Sequence, residues 1–269
     1  MITSLIIILL LTFTSPIKAQ TEVAPVKADL IDQQANYEQA ISQTQSLYRQ
    51  ELENYRSLER NQLIAADQYV SLNTLAALED LVKQTKDLAI SRNLVLKYYF
   101  TLLQLNLDGA PGVELALKNE YLTNLNQAIA FLETHQQQLE QANSREEVQA
   151  ALVVFEQLGD PESFAEQVLG ILAIAQLQAI YDLALPLKND LDDFLAKQRQ
   201  ADQSALERAS QQTDQVLAEA GVSLRTLWVE DGDNNGLRRI YQRPTEKLNP
   251  IYVTLSQSLV YFEELLELN

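Results

Sequence analysis

Residues 168–181 read VLGILAIAQLQAIY, and this stretch decides the fold class. It contains no charged residue, and its isoleucine, leucine and alanine side chains fall on every side of a helix. A helix that is apolar all round is buried on several faces, and fourteen such residues are too few to cross a bilayer. We therefore predict a central core helix that begins after Asp160, its N-cap, and that Pro186 kinks.

The remainder of the chain also favours helix. Glycine and proline contribute only 7 residues each to the 269, and neither occurs in residues 27–108. Alanine, leucine, glutamine and glutamate, all good helix formers, fill most of the sequence. We predict an all-α fold of about five to seven helices, packed as an elongated antiparallel helical bundle over residues 29–221. Residues 108–112, DGAPG, form the clearest turn.

The first two predicted helices offer different apolar faces. The helix over residues 29–66 has a narrow, tyrosine-rich stripe, which is typical of a coiled-coil-like helix with a solvated outer face. This stripe consists of Ile41, Tyr48, Leu52 and Tyr55. The next helix, over residues 73–107, has a wider leucine stripe. The pattern leaves open whether residues 62–74 form a turn or continue one very long helix, although Thr74 suits an N-cap.

Capping residues and glycines predict where the helices in the second half of the bundle begin and end. Ser144 and Glu147 match a capping box, which predicts the start of a short helix that Gly159 closes. Beyond the core helix the apolar stripe thins over residues 198–212, so we expect this portion to pack weakly or protrude. We expect Gly221 to end that helix.

Residues 222–243 depart from the helical pattern. Two short segments rich in strand-forming residues flank a dense turn signal, DGDNNG, at residues 231–236. The pattern predicts a small β-hairpin near the C-terminus, inserted before the last helix. Residues 244–269 are then predicted to form a C-terminal helix that packs on the bundle.

The same turn has part of the spacing of a calcium-binding loop. Asp231, Asp233 and Asn235 occupy the first, third and fifth positions of an EF-hand loop, where oxygen ligands converge, and Gly236 occupies the sixth. The match fails at the twelfth position, where Gln242 replaces a bidentate carboxylate. We predict weak calcium binding or, as the favoured alternative, a plain hairpin turn, and no other cofactor.

An aromatic and basic group surrounds this turn. Trp228 is the single tryptophan, and arginines cluster near it at Arg225, Arg238, Arg239 and Arg243. Because alternate residues of a hairpin share a face, Trp228, Arg238 and Arg239 are candidates for a recognition patch. The favoured alternative is that the tryptophan docks the hairpin onto the helices while the arginines pair with acids.

Catalytic signatures are missing from the sequence. There is no cysteine, and the one histidine, His135, lies on the apolar stripe of the third helix, where a buried imidazole with a hydrogen-bond partner is expected. The His-Glu-x-x-His, Gly-x-Ser-x-Gly, P-loop and Rossmann patterns do not occur. We therefore expect a protein that is not an enzyme.

The N-terminus indicates export. Residues 2–17 carry no charge and contain the apolar run Leu5–Leu11, Pro16 breaks this stretch, and Ala19 offers a small residue for a peptidase, which is typical of a signal peptide. No lysine or arginine precedes the apolar run, so an uncleaved anchor is the alternative. We predict a flexible leader over residues 20–28 and a periplasmic or extracellular location, with no membrane insertion after the signal is cleaved.

The charge of the chain limits its partners. With 37 acidic and 20 basic residues the formal charge is −17, so nucleic acid is repelled at long range. The thin apolar seams at residues 29–66 and 198–220 favour burial against a protein partner or by self-association. The expected function is that of an exported, non-catalytic structural or interaction protein. The alternative is a calcium-responsive ligand-binding module that uses residues 224–243.

Overall fold

The computed structural model describes the backbone of residues 25–197, 203–230 and 232–267, and the side chains of residues 35–194, 207–229 and 232–266. Within these ranges the protein is all-helical and contains no strand. The predictions for residues 1–24, which include the signal peptide and most of the leader, lie outside the described residues. The chain divides into two compact units, Met1–Ala40 and Ile41–Asn269. In the first unit the structure describes one helical segment, which begins at Pro25, four residues before the predicted start.

The helices follow one another along the chain with short connections. A single 3₁₀ turn, Phe155–Leu158, links the fourth helix to the fifth. The α-helices are α1 (Pro25–Leu72), α2 (Leu75–Gly109), α3 (Leu115–Gln141), α4 (Arg145–Val154), α5 (Pro161–Lys197), α6 (Gln203–Glu230), α7 (Asn234–Gln242), α8 (Pro244–Lys247) and α9 (Asn249–Glu267).

Local capping sets several of these boundaries as predicted. The Ser144 hydroxyl accepts a hydrogen bond from the Glu147 backbone N–H at 3.2 Å, and the Glu147 carboxylate accepts the Ser144 N–H at the same distance. Gly159 ends the following turn with a φ of +76°, and Asp160 accepts the Ser163 N–H at 3.0 Å. The capping box, the glycine stop and the Asp160 N-cap are therefore confirmed.

The structure decides the question that residues 62–74 left open. Helix α1 continues to Leu72, Asn73 adopts a φ of +47°, and α2 begins at Leu75. The Thr74 hydroxyl accepts the Ala77 N–H at 3.3 Å and so caps α2. The break is therefore a two-residue turn, and α1 extends six residues beyond its predicted end.

Helix α5 is the centre of the packing in Ile41–Asn269. It contacts α2, α6, α7 and α9, and Val168, Ile171 and Ile174 are fully buried. A methyl group on Gly170 would overlap the carbonyl of Leu237, so this glycine lets α7 lie directly on α5. The predicted core helix is confirmed, and it continues through Pro186 to Lys197.

One helical stretch, Arg145–Phe194, contains a window long and apolar enough to cross a membrane, which the sequence prediction did not expect beyond the N-terminus. Within the protein 44% of that window is buried. The buried core helix of a globular protein passes the same test of length and composition, so this is weak evidence for a membrane span.

The predicted β-hairpin at residues 222–243 is wrong. Residues 222–230 continue α6, and Asn234–Gln242 form α7. Leu224 and Leu227 are buried three residues apart on α6, as Leu237 and Ile240 are on α7. This helical period buries the same side chains that favour a strand, and tertiary packing overrides their strand propensity.

The expectations for α6 were also wrong in part. The prediction for residues 198–202 lies outside the described residues. Among residues 207–212, Ala209 is fully buried where α6 meets α5 and α9, while Glu207, Arg208 and Gln211 are exposed. Gly221 does not end the helix. A methyl group there would overlap the hydroxyl end of the Tyr181 side chain from α5, so the glycine leaves room for this side chain.

Candidate functional site

Two of the three candidate calcium ligands, Asp233 and Asn235, lie at the start of α7. The Asp233 carboxylate accepts the Gly236 backbone N–H at 2.6 Å and caps this helix, while Asn235 is exposed in its first turn. Asp231 lies outside the described residues. Elsewhere in the described ranges no group of three histidine, aspartate or glutamate side chains is arranged to hold a metal ion. Weak calcium binding stays a prediction. Asp233, which would be the ligand at the third loop position, already caps α7.

The candidate arginines on α7 have separate surroundings. Arg238 Nε donates to Glu166 Oε2 of α5 at 2.6 Å, and Gln242 Nε2 donates to the same oxygen at 3.0 Å. The hydrogen bond to the Glu166 carboxylate and its charge raise the pKa of Arg238. Arg239 is exposed at the next position of the helix. Arg238 therefore ties α7 to α5, as the alternative interpretation of an arginine paired with an acid expected.

Trp228 lies on α6, half-buried against the main core. Its exposed part lines an open depression of about 500 Å³ together with Asp182 and Gln178 of α5 and residues 112–114 before α3. Since the hairpin does not form, the tryptophan and the arginines of α7 do not share a strand face. The partners of Trp228 at this depression are instead two carboxylates, Asp182 and Glu114. Sequence patterns gave no signal for this group, because its members come from distant parts of the chain.

His135 is a structural residue. Its side chain is fully buried, and a neutral imidazole satisfies both ring nitrogens: Nε2 donates to the Ala151 carbonyl at 2.7 Å, and Nδ1 accepts from Asn93 Nδ2 at 2.8 Å. The ring stacks on Phe131 with centroids 6.0 Å apart. Burial lowers the pKa of His135, which keeps it neutral. The interpretation as a core histidine with hydrogen-bond partners is confirmed.

Sequence reasoning missed Arg92 on α2. Its guanidinium carbon lies 3.5 Å from the centroid of the Phe155 ring, a close cation–π contact. Nε and Nη2 of Arg92 are buried without a hydrogen-bond partner among the described residues. Burial lowers the pKa of this guanidinium, against the raising effect of nearby Tyr55. Arg92 therefore packs the 3₁₀ turn against α2, a structural role that no local sequence motif indicates.

Lys188 is a second buried cation that no sequence motif indicated. Its ammonium donates to Asp192 at 2.5 Å and to Asp214 of α6 at 2.8 Å, and the Ser210 hydroxyl donates to Asp192 at 3.1 Å. These contacts clamp α5 to α6. The available signal was a lysine on the apolar period of the core helix, between the buried Ala184 and Leu191.

Comparisons with protein-family models, curated proteins and solved structures find no match to this chain. The polar groups described above, the Lys188 clamp, the Arg238–Glu166 pair and the His135 hydrogen bonds, all join helices to one another. By contrast, the Trp228 depression is open to solvent, and its two carboxylates are exposed. Of these groups, the depression is the one that offers chemistry to another molecule.

Proposed function

We propose that this chain is an exported, non-catalytic helical protein that acts through contacts with another protein or with copies of itself. Export is inferred from residues 1–19, whose sequence is typical of a signal peptide that is either cleaved or kept as an anchor. The elongated antiparallel bundle and the coiled-coil pairing of its long helices are part of the same proposal.

The observation that carries the proposal is a set of exposed apolar side chains between residue 63 of α1 and the start of α2. Val70 and Leu72 are 80% and 63% exposed, and Leu63, Ile64 and Leu75 are also exposed. Single exposed apolar residues are ordinary, but a group of large ones marks a surface that contacts another molecule. We call these five residues the apolar tip.

The incomplete burial of α1 supports the same conclusion. Within residues 41–72, Ala65 is the one fully buried side chain that the structure describes, although the stripe of Tyr48, Leu52 and Tyr55 is partly buried. Contacts through side chains hold this stretch to α2, including a Tyr48–Tyr99 ring pair with centroids 5.8 Å apart. A long amphipathic helix with so shallow a contact gains stability when a second surface covers it.

The test is capture of a partner by the tagged full-length protein from an envelope extract, combined with analytical ultracentrifugation. The variant Val70→Ser with Leu72→Ser should weaken association by about tenfold or more, since it removes apolar contact area. Val153→Ser on α4 is the matched control, because Val153 is 59% exposed outside the tip. A monodisperse wild-type protein that retains no partner would contradict the proposal.

The calcium-responsive module over residues 224–243 stays an alternative prediction. A ligand that binds the folded state raises the melting temperature. We expect no change in melting temperature between calcium and a chelator if Asp233 serves only as the cap of α7. A rise that Asp233→Asn abolishes would favour the calcium-responsive module.

A further inference from the structure

The open depression beside Trp228 combines an aromatic face with two carboxylates from separate parts of the chain. Trp228 comes from α6, Gln178 and Asp182 come from α5, and Glu114 lies just before α3. The depression has a volume of about 500 Å³ and is open to solvent.

Local contacts shape two sides of the depression. Gly112 has a φ of +78° and packs so closely on α5 that a Cβ atom would lie 2.7 Å from the Ala175 carbonyl oxygen. Glu114, two residues further along the chain, lines the depression. Gln178 Nε2 donates to Asp182 Oδ1 at 2.8 Å, which orients the second carboxylate. The depression is therefore shaped by packed backbone and by a side-chain hydrogen bond.

We propose that this depression binds a lysine or arginine side chain from a basic, amphipathic segment of a partner protein. The inference rests on the proposed function, contact with another protein. A cation is attracted to the face of a tryptophan ring and is neutralised by carboxylates at its rim. The formal charge of −17 attracts basic segments at long range.

Exposed apolar residues point to a polypeptide occupant. Leu115, Leu183 and Val229 are 70%, 73% and 77% exposed, and each directly follows a residue that lines the depression: Glu114, Asp182 and Trp228. A free inorganic or small organic cation leaves these side chains in water. A basic residue flanked by apolar ones buries them around a central aromatic anchor, as in protein interfaces.

Because Trp228 is the single tryptophan, its fluorescence reports on this depression alone. The full-length protein is titrated with a peptide of alternating leucine and lysine, with the same peptide carrying glutamate for lysine, and with tetramethylammonium. We expect a saturable change in emission with the lysine peptide and none with the glutamate peptide.

Charge-matched variants separate a specific site from general attraction to an acidic protein. The double variant Glu114→Gln with Asp182→Asn should lower affinity for the lysine peptide by about tenfold or more. The control, Glu120→Gln with Asp190→Asn, removes two exposed carboxylates outside the depression, one from α3 and one from α5. It should change the affinity for the lysine peptide by less than about twofold. Melting followed by circular dichroism checks that both variants remain folded.

Three results would overturn the inference. Equal loss in both double variants would show non-specific attraction, and tetramethylammonium binding as tightly as the peptide would show a small-cation site. The absence of any saturable change would show no site. Failure of the proposed function is distinguishable, because the wild-type protein would then capture no partner and would not self-associate. If only the inference fails, Glu114→Gln with Asp182→Asn captures the same partner as the wild type.

Discussion

Helix α5 and residues 41–72 of α1 are both long helical segments, yet they are buried very differently. Along α5, Val168, Ile171 and Ile174 are fully buried by neighbours on several sides. Along residues 41–72 of α1, one stripe is partly buried and the outer face is solvated. Good helix formers make both segments helical, so helix formation and burial are separate properties here. The width of the apolar face decides how much of each helix the fold covers.

The polar contacts also differ between α5, which contains fully buried side chains, and α1, whose described side chains are mostly exposed. Helix α5 is fixed by the Lys188 clamp and by Glu166, which accepts from Arg238. The described part of α1 is held by the Tyr48–Tyr99 contact and by a Ser91 hydroxyl that donates to Glu51 at 2.5 Å. Regions with few buried apolar contacts open at a lower free energy than the core. We therefore expect α1 to open locally before α5 does.

The largest expected effect separates the two helices directly. Ile174→Ala in α5 should lower the free energy of unfolding by about 4 kcal/mol, because it leaves a cavity in a fully packed site. Leu52→Ala in α1 should cost about 1.5 kcal/mol, because the site is only partly buried. Urea unfolding of both variants measures the difference. Equal losses would mean that α1 is part of the core.

The Lys188 clamp gives the next largest effect. Replacing Asp192 and Asp214 together by asparagine should cost about 3 kcal/mol, because the buried ammonium then lacks a carboxylate. Lys188→Met should cost less, because the remaining carboxylates are 40% and 64% exposed to water. The order of the two urea midpoints is the readout, and the reverse order would show that the ammonium does not depend on its partners.

The pH dependence of this clamp has a definite sign. Burial alone lowers the pKa of Lys188, but its hydrogen bonds to Asp192 and Asp214 outweigh burial and raise it. A raised pKa contributes stability below the ordinary lysine pKa, and this stability is lost as the pH rises through the folded-state value. In alkaline solution the unfolding free energies of the wild type and of Lys188→Met should therefore converge.

A smaller effect is expected where α1 meets α2. Tyr48→Leu keeps an apolar side chain but removes the ring contact with Tyr99, and should cost about 1 kcal/mol. Hydrogen exchange should become faster at the amides of α1 and stay unchanged in α5. Leu47→Ala, at an exposed neighbouring position, is the control and should change stability by less than about 0.5 kcal/mol. Equal acceleration in both helices would argue for a single cooperative unit.

The smallest expected effect concerns the buried His135. Because burial lowers its pKa, its contribution to stability is present above the ordinary histidine pKa and is lost as the pH falls toward the folded-state value. The single imidazole resonance in NMR should titrate below about pH 6.5. A normal titration would mean that water reaches this part of the core, in contrast to the surroundings of α5.

Some features of the fold were predictable because their causes are local. The capping box at Ser144, the stop at Gly159 and the cap at Asp160 each depend on residues within one helical turn. The burial of Val168, Ile171 and Ile174 was predictable from the uncharged composition of residues 168–181. The hairpin prediction failed because strand propensity is weak beside the packing of α6 on α5 and α9 and of α7 on α5.

The candidate site was less predictable than the fold. The sequence singled out Trp228 either as part of a recognition patch or as a residue that packs on the helices. It did not indicate the carboxylates that line the same depression, because Glu114 and Asp182 are distant from Trp228 along the chain. The Arg238 pairing with Glu166 fits the alternative that the arginines meet acids. A local pattern can indicate that a residue is unusual but cannot supply its neighbours in space.

The sequence by itself determined the helical class, the acidic charge, several helix ends and the buried core helix, because composition, period and caps act between neighbouring residues. Only the tertiary structure decided that residues 222–230 and 234–242 are helical, that two carboxylates hold Lys188, and that Trp228 lines the same depression as Glu114 and Asp182. These features depend on which helices approach each other. Glycines such as Gly112 and Gly170 permit that approach, but their effect appears only when the partner backbone is in place.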